Sequence, residues 1–184
     1  MFLLNPEPGK ITVADLQALI DDQVIESRDI EYKRIVAIGS KADENKKIKF
    51  LAGVSSFANT DGGDFIVGLR AENGIPKEIT PIERTQVDSL KLAIEQLTQT
   101  GISPRISLTV CEIPVTDTHS VLLVRVEKSW AAPHRVTLAG DNDFYGRHSS
   151  GMYPMDVDQL RTAFMITGTV HERIKRVRNS SSVE

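Results

Sequence analysis

Glu26, Glu31 and Lys33 stand together in the run ESRDIEYK. Two carboxylates that straddle a turn into a strand can converge on one cation. A hard divalent ion such as Mg²⁺ takes one or two such oxygens and keeps its remaining waters. An ion held there can activate water and stabilise a phosphoryl transition state, with a lysine alongside to neutralise the phosphate. The plainer reading of the same spacing is a solvated charged turn with surface ion pairs.

Three further constellations carry chemical possibilities. The corner FANTDGGDFIVGL brings Asn59, Thr60, Gly62 and Gly63 to a helix-to-strand junction where backbone can approach a ligand closely. It follows a helix C-terminus, where the dipole disfavours phosphate, and no GxxxxGK[ST] run is present. A capped tight corner therefore accounts for it. Trp130, His134, Arg135, Tyr145, Arg147 and His148 intersperse aromatics with cations, as single-stranded nucleic-acid sites do. Ser149 and Ser150 add hydroxyls able to hold a phosphate. A two-stranded edge with half-buried Tyr and Trp explains these residues equally well. Last comes a basic end, with Arg173, Lys175, Arg176 and Arg178, read either as an arm for phosphate backbone or as a solvated terminus.

The elements that must position these groups follow from patterning. Thr12 with Asp15 three residues on resembles a capping box and opens a short helix with Leu16, Leu19 and Ile20 on one face. A strand follows the Ser27–Asp29 turn. The strongest helix runs from the acids Asp43 and Glu44 to Gly62–Gly63, with Ile48, Leu51, Ala52 and Ser55 in register. DFIVGL reads as a buried strand and AENGIP as a turn. Residues 85–99 form an amphipathic helix. Then come strand candidates at ISLTVCEIPV, SVLLVRVEKS, HRVTL and NDFYGRHSS, and a closing helix at PMDVDQLRTAFMI. In SVLLVRVEKS, the alternation of Leu122, Val124 and Val126 with Leu123, Arg125 and Glu127 predicts one wet face at its far end. This order is α+β, a mixed sheet flanked by helices. The expected division is an irregular lead-in over 1–12, one domain over 13–168 and a basic, flexible tail over 169–184.

Composition sets the outer limits. The 184 residues are 40% hydrophobic and carry 22 Lys+Arg against 25 Asp+Glu. That excludes coating of nucleic acid by bulk charge, so any nucleic-acid surface is a local patch. The single cysteine, Cys111, excludes a disulfide framework and a cysteine-based zinc site, and it suits a reducing cytosol. The sequence predicts no membrane span and no signal peptide, hence a cytoplasmic protein.

In this order, ES-x3-EYK at Glu26–Lys33, SSFANTDGGDFIVGL at Ser55–Leu69, the S-x3-P of Ser129–Pro133 and FYGRHSSG at Phe144–Gly151 resemble the Schlafen AlbA-like domain, over roughly residues 14–165. The resemblance implies a single α+β lobe with a mixed sheet. It implies a nucleic-acid-binding domain, with bacterial relatives described as DNA-binding regulatory modules and often as ATP-binding. Animal members pair two lobes into a groove that cleaves tRNA or rRNA with a divalent metal held by three acids. Carried over, Glu26 and Glu31 match the first two acids and Lys33 the family's E-x-K lysine. The third acid falls nearest to Glu72, with Arg70 in its expected zone and Asp64 further away. This implies a metal-dependent endonuclease using Mg²⁺ or Mn²⁺ at Glu26, Glu31 and Glu72, with Arg135, Tyr145, Arg147 and His148 holding RNA or DNA. A homodimer would supply the second lobe. The alternatives are a non-catalytic binding module and an ATP-responsive interaction module using the Asn59–Gly63 corner.

Overall fold

The computed structural model describes residues 4–36, 38–39 and 43–180, with side chains as far as residue 168. Helix α1 (Val13–Asp21) starts where the sequence predicts. Asp15 reaches back to accept from the Thr12 amide at 2.7 Å and from its hydroxyl at 2.8 Å, satisfying a donor the helix itself cannot. Leu16 and Leu19 are buried. Strand β1 (Ile30–Lys33) follows the Ser27–Asp29 turn. Helix α2 (Glu44–Ala58) is capped by Asp43, whose carboxylate accepts from the Asn45 amide at 3.0 Å, and it is buried continuously from Phe50 to Ala58.

Strand β2 (Gly62–Val67) is buried at every position. A hairpin of β3 (Leu69–Glu72) and β4 (Ile75–Ile79) comes next. Asn73 and Gly74 form its two-residue turn with φ of +53° and +76°, the geometry an Asn-Gly pair favours. The sequence showed the turn but not the strands beside it. The short β5 (Ile82–Glu83) leads into α3 (Arg84–Gly101). Then follow β6 (Ile102–Ser103), β7 (Leu108–Pro114), β8 (His119–Glu127), β9 (Arg135–Val136), β10 (Tyr145–His148), β11 (Gly151–Pro154) and α4 (Val157–Ser180). The expected tail thus begins inside α4. The basic side chains Arg173, Lys175, Arg176 and Arg178, expected as a phosphate-binding arm or a solvated terminus, lie outside the described side chains, and 181–184 lie outside the described residues.

The main sheet is mixed: β1 runs parallel to β2, and β2, β7 and β5 all pair antiparallel with β8. One face, with Phe65, Val67, Leu122, Val124 and Val126, packs on α2 and α3. The other, with Ile66, Val121, Leu123 and Ile113, packs on α1. Cys111 sits half-buried in β7. β10 and β11 form a separate hairpin against α2.

Two expectations fail in detail. The far end of β8 is wet only at its last residue, Glu127. Arg125 is 1% exposed, because Asp64 lies directly opposite it on β2 and takes two hydrogen bonds from its guanidinium, at 2.8 and 2.7 Å. The guanidinium also donates to the Asn5 and Pro6 carbonyls at 2.8 Å each. Nor is Trp130 half-buried: it stands 72% exposed after β8, because its backbone leaves the sheet there.

Candidate nucleic-acid interface

Strand β1 lies at the edge of the main sheet, and its residues alternate between the two faces. Ile30 and Tyr32 enter the core, so Glu31 and Lys33 emerge on the opposite face, side by side. There the carboxylate of Glu31 makes ion pairs with Lys33 and with Arg147 of β10, the latter at 2.7 Å. Arg147 is itself buried. Its Nε donates to the Ser27 carbonyl at 3.3 Å, and its guanidinium lies 4.2 Å from the centre of the Phe57 ring. Burial pushes the Glu31 carboxyl up, but Lys33 and Arg147 outweigh it and hold it below its ordinary value of 4.5.

Glu26 approaches from the other side. Its carboxylate accepts from the Tyr32 amide at 2.8 Å, and its own amide donates to the Gly74 carbonyl at 2.7 Å. This blunts the open edge of β1 and ties the β3–β4 turn to it. Between these elements opens a cleft of about 540 Å³ lined by Glu26, Glu31, Lys33 and Arg147. Lys49 of α2 and the turn residues Ser149 and Ser150 complete its polar wall. Three cations face two carboxylates.

The structure thus brings together Glu26, Glu31, Lys33 and Arg147 out of the sequence-predicted set. Glu72 is elsewhere. It lies at the end of β3 with its carboxylate on Arg70, which also bonds Glu78 at 3.1 Å. Arg135 sits on β9, paired with Ser103 and bridged to Phe144. Tyr145 donates its hydroxyl to Asp141 at 3.0 Å, and burial with that carboxylate pushes its pKa up to about 12. His148 is exposed, stacked on Tyr153 at 4.0 Å. None of these lines the cleft.

The Asn59–Gly63 corner is a joint between elements. The Asn59 amide donates to the His134 carbonyl at 3.0 Å and the Tyr145 carbonyl at 2.9 Å, and accepts from the His134 amide at 2.7 Å. Both of its donors are thereby used. Thr60 donates back to the Ser56 carbonyl at 2.7 Å. Gly62 has φ of +81°, and a Cβ there would stand 2.8 Å from the Val126 carbonyl oxygen. At Gly63 a side chain would run into the Phe57 ring.

Sequence reasoning passed over Lys49. The signal was available: Lys46 and Lys49 are three apart on α2 and so share one helix face.

His134 is fully buried, with Nδ1 2.7 Å from the Pro104 carbonyl. Burial lowers its pKa from 6.5, with the Pro104 contact opposing. Below pH 6.5 the unfolded chain therefore binds a proton that the native state resists. This part of the stability is complete above 6.5 and declines as pH falls beneath it. Urea midpoints at pH 7.5 and 5.5 should differ in that sense, and His134→Gln should narrow the gap.

Among the described residues, no three His, Cys, Asp or Glu side chains gather to hold a metal ion. With Glu31 neutralised by two cations and Glu72 turned to Arg70, the donors present do not fit a three-carboxylate centre. No helix of the described residues is long and apolar enough to cross a membrane.

The family model described as "Schlafen, AlbA_2" matches residues 26–156. No curated protein matches this chain. Among solved structures, it is similar to the N-terminal domain of a protein related to the ATP-dependent DNA helicase RecG, from Nitrosomonas europaea. That match has 17% identity and a TM-score of 0.55, over 76% of this chain and 88% of that one. It is also similar to the DIP2311 protein from Corynebacterium diphtheriae, at 18% identity and a TM-score of 0.45, over 78% of this chain. It spans only 26% of that protein.

Proposed function

The chain belongs to the Schlafen, AlbA_2 family, and from that premise we propose that it is a nucleic-acid-binding domain that seats a phosphodiester in the cleft beside β1. One observation carries this reading: Lys33, Lys49 and the Ser149–Ser150 turn line the same cleft. Lysines supply point charges for phosphate oxygens, and serine hydroxyls donate hydrogen bonds to them. Arg147 is a positioning residue. Buried between Glu31 and Phe57, it fixes the β10–β11 turn over β1. Glu31 carries its charge at neutral pH, but the two cations beside it offset its repulsion of an incoming phosphate. The third carboxylate, Glu72, is directed to Arg70 and away from this cleft.

The test is fluorescence anisotropy with labelled single-stranded RNA and DNA across a salt series, with Mn²⁺, Mg²⁺ or EDTA present. Wild-type affinity should fall steeply with salt and be indifferent to EDTA. Lys33→Ala/Lys49→Ala should flatten the log–log salt slope by about 1.4, at about 0.7 per phosphate contact on a single strand. Glu26→Gln should leave binding intact or tighten it. Strand scission that requires Mn²⁺ and disappears with Glu31→Ala would replace this reading with a metal-dependent nuclease, a role that the placing of Glu26 and Glu31 on one cleft favours as the second choice.

A further inference from the structure

Beside the cleft lies a second, smaller cavity of about 290 Å³, and the two share Lys33 and Lys49 as a common wall. The smaller one adds Lys46, one helical turn before Lys49 on α2, over an apolar side formed by Ile35, Val36 and Phe50. Among the described residues, no carboxylate lines it. The larger cleft sets two carboxylates against its cations. Here three lysines face one small space with none. Lys46 and Lys49 are exposed and Ile35 is 70% exposed, so the cavity is open to solvent on its outer side.

Like charges lining one small cavity raise the local potential and concentrate anions, Lys46 and Lys49 adding to a Lys33 that also pairs with Glu31. We propose that this cavity is a second phosphate subsite, held by Lys33, Lys46 and Lys49 and continuous with the cleft. It rests on the reading of the cleft as a phosphodiester seat, and it adds the direction in which the ligand runs: from the β10–β11 turn, past β1, to the start of α2. The bound group is a phosphate. It arrives either as the neighbouring phosphodiester of the same strand or as the phosphate chain of a free nucleotide. The exposed Ile35 supplies apolar surface for the sugar or base that accompanies it.

Lys46 lines only the second cavity, so it separates this inference from the reading of the cleft. Three single variants are compared with wild type: Lys46→Ala, Lys49→Ala, and Lys128→Ala as a control for loss of one positive charge, since Lys128 pairs with Asp61 outside both cavities. All three side chains are exposed, and unchanged melting temperatures would confirm folding. One arm measures the salt slope for a labelled 12-nucleotide single strand. The other measures the thermal shift given by tripolyphosphate and by ATP, since a ligand that binds only the native state raises its stability.

The expected result is a slope flatter by about 0.7 in Lys46→Ala, matching one phosphate contact, with Lys128→Ala unchanged. If the strand is indifferent to Lys46→Ala but the tripolyphosphate and ATP shifts vanish in that variant, the subsite is confirmed with a free nucleotide as its source. If Lys49→Ala responds and Lys46→Ala matches wild type in both arms, the subsite is overturned and the cleft stands. If wild type binds neither strand nor polyphosphate, both readings fall.

Discussion

Arg125→Ala is expected to remove about 3–5 kcal/mol of stability, a large fraction of what a domain of this size holds. The side chain is 1% exposed and, among the described residues, donates two hydrogen bonds to the Asp64 carboxylate and two to the carbonyls of Asn5 and Pro6. Burial already raises the Asp64 pKa above its ordinary 3.8, and Arg125 is the main opposing influence. Without the guanidinium, Asp64 faces the core uncompensated and must take up a proton or unfold its surroundings. A shape-matched apolar pair, Arg125→Met with Asp64→Leu, leaves no orphaned charge at that position and should recover most of the loss. Urea denaturation with m-values read alongside midpoints decides the matter. A double variant as unstable as Arg125→Ala would mean that the carbonyls of Asn5 and Pro6 set the cost instead.

Asn59→Ala is expected to cost about 3 kcal/mol, from three hydrogen bonds at roughly 1 kcal/mol each. It should also loosen the segments holding His134 and Tyr145, which the Asn59 side chain joins to the end of α2. Tyr145 is two residues from Arg147 on β10, so the damage reaches the cleft through the backbone. Amide exchange should therefore speed up at His134 and across β10, and nucleic-acid affinity should fall in step with the folded fraction. A phosphate ligand would behave differently. Its removal would leave stability and exchange unchanged and lower affinity alone.

These two residues also mark what was legible in the sequence. The FANTDGG run announced a helix stop and a tight entry to a strand, and β2 begins there as expected. Its asparagine spans 75 and 86 residues of sequence to reach its partners, and no local pattern encodes such a reach. Arg125 shows the same limit. Alternation along β8 placed it correctly on a face, but a charged residue on a face reads as solvent unless its partner is known, and Asp64 is 61 residues away. The Glu26, Glu31 and Lys33 grouping was legible because a turn and four strand residues suffice to build it. Arg147 joins that group only through the packing of the β10–β11 hairpin on α2. Glu72 is the acid nearest the third position that the family resemblance implies, just past the end of β2. The hairpin that begins there gives its carboxylate a nearer cation in Arg70.

Trp130 is the chain's only tryptophan and stands 72% exposed. Its indole is already in water in the native state, so its emission is that of a solvated fluorophore before any denaturant is added. Intrinsic fluorescence is consequently a poor reporter of core unfolding in this molecule, and far-ultraviolet dichroism is the appropriate signal for the stability comparisons. The same exposure makes the residue an optical label already in place, two positions beyond Lys128. It is responsive to what settles on that loop and indifferent to the packing beneath it.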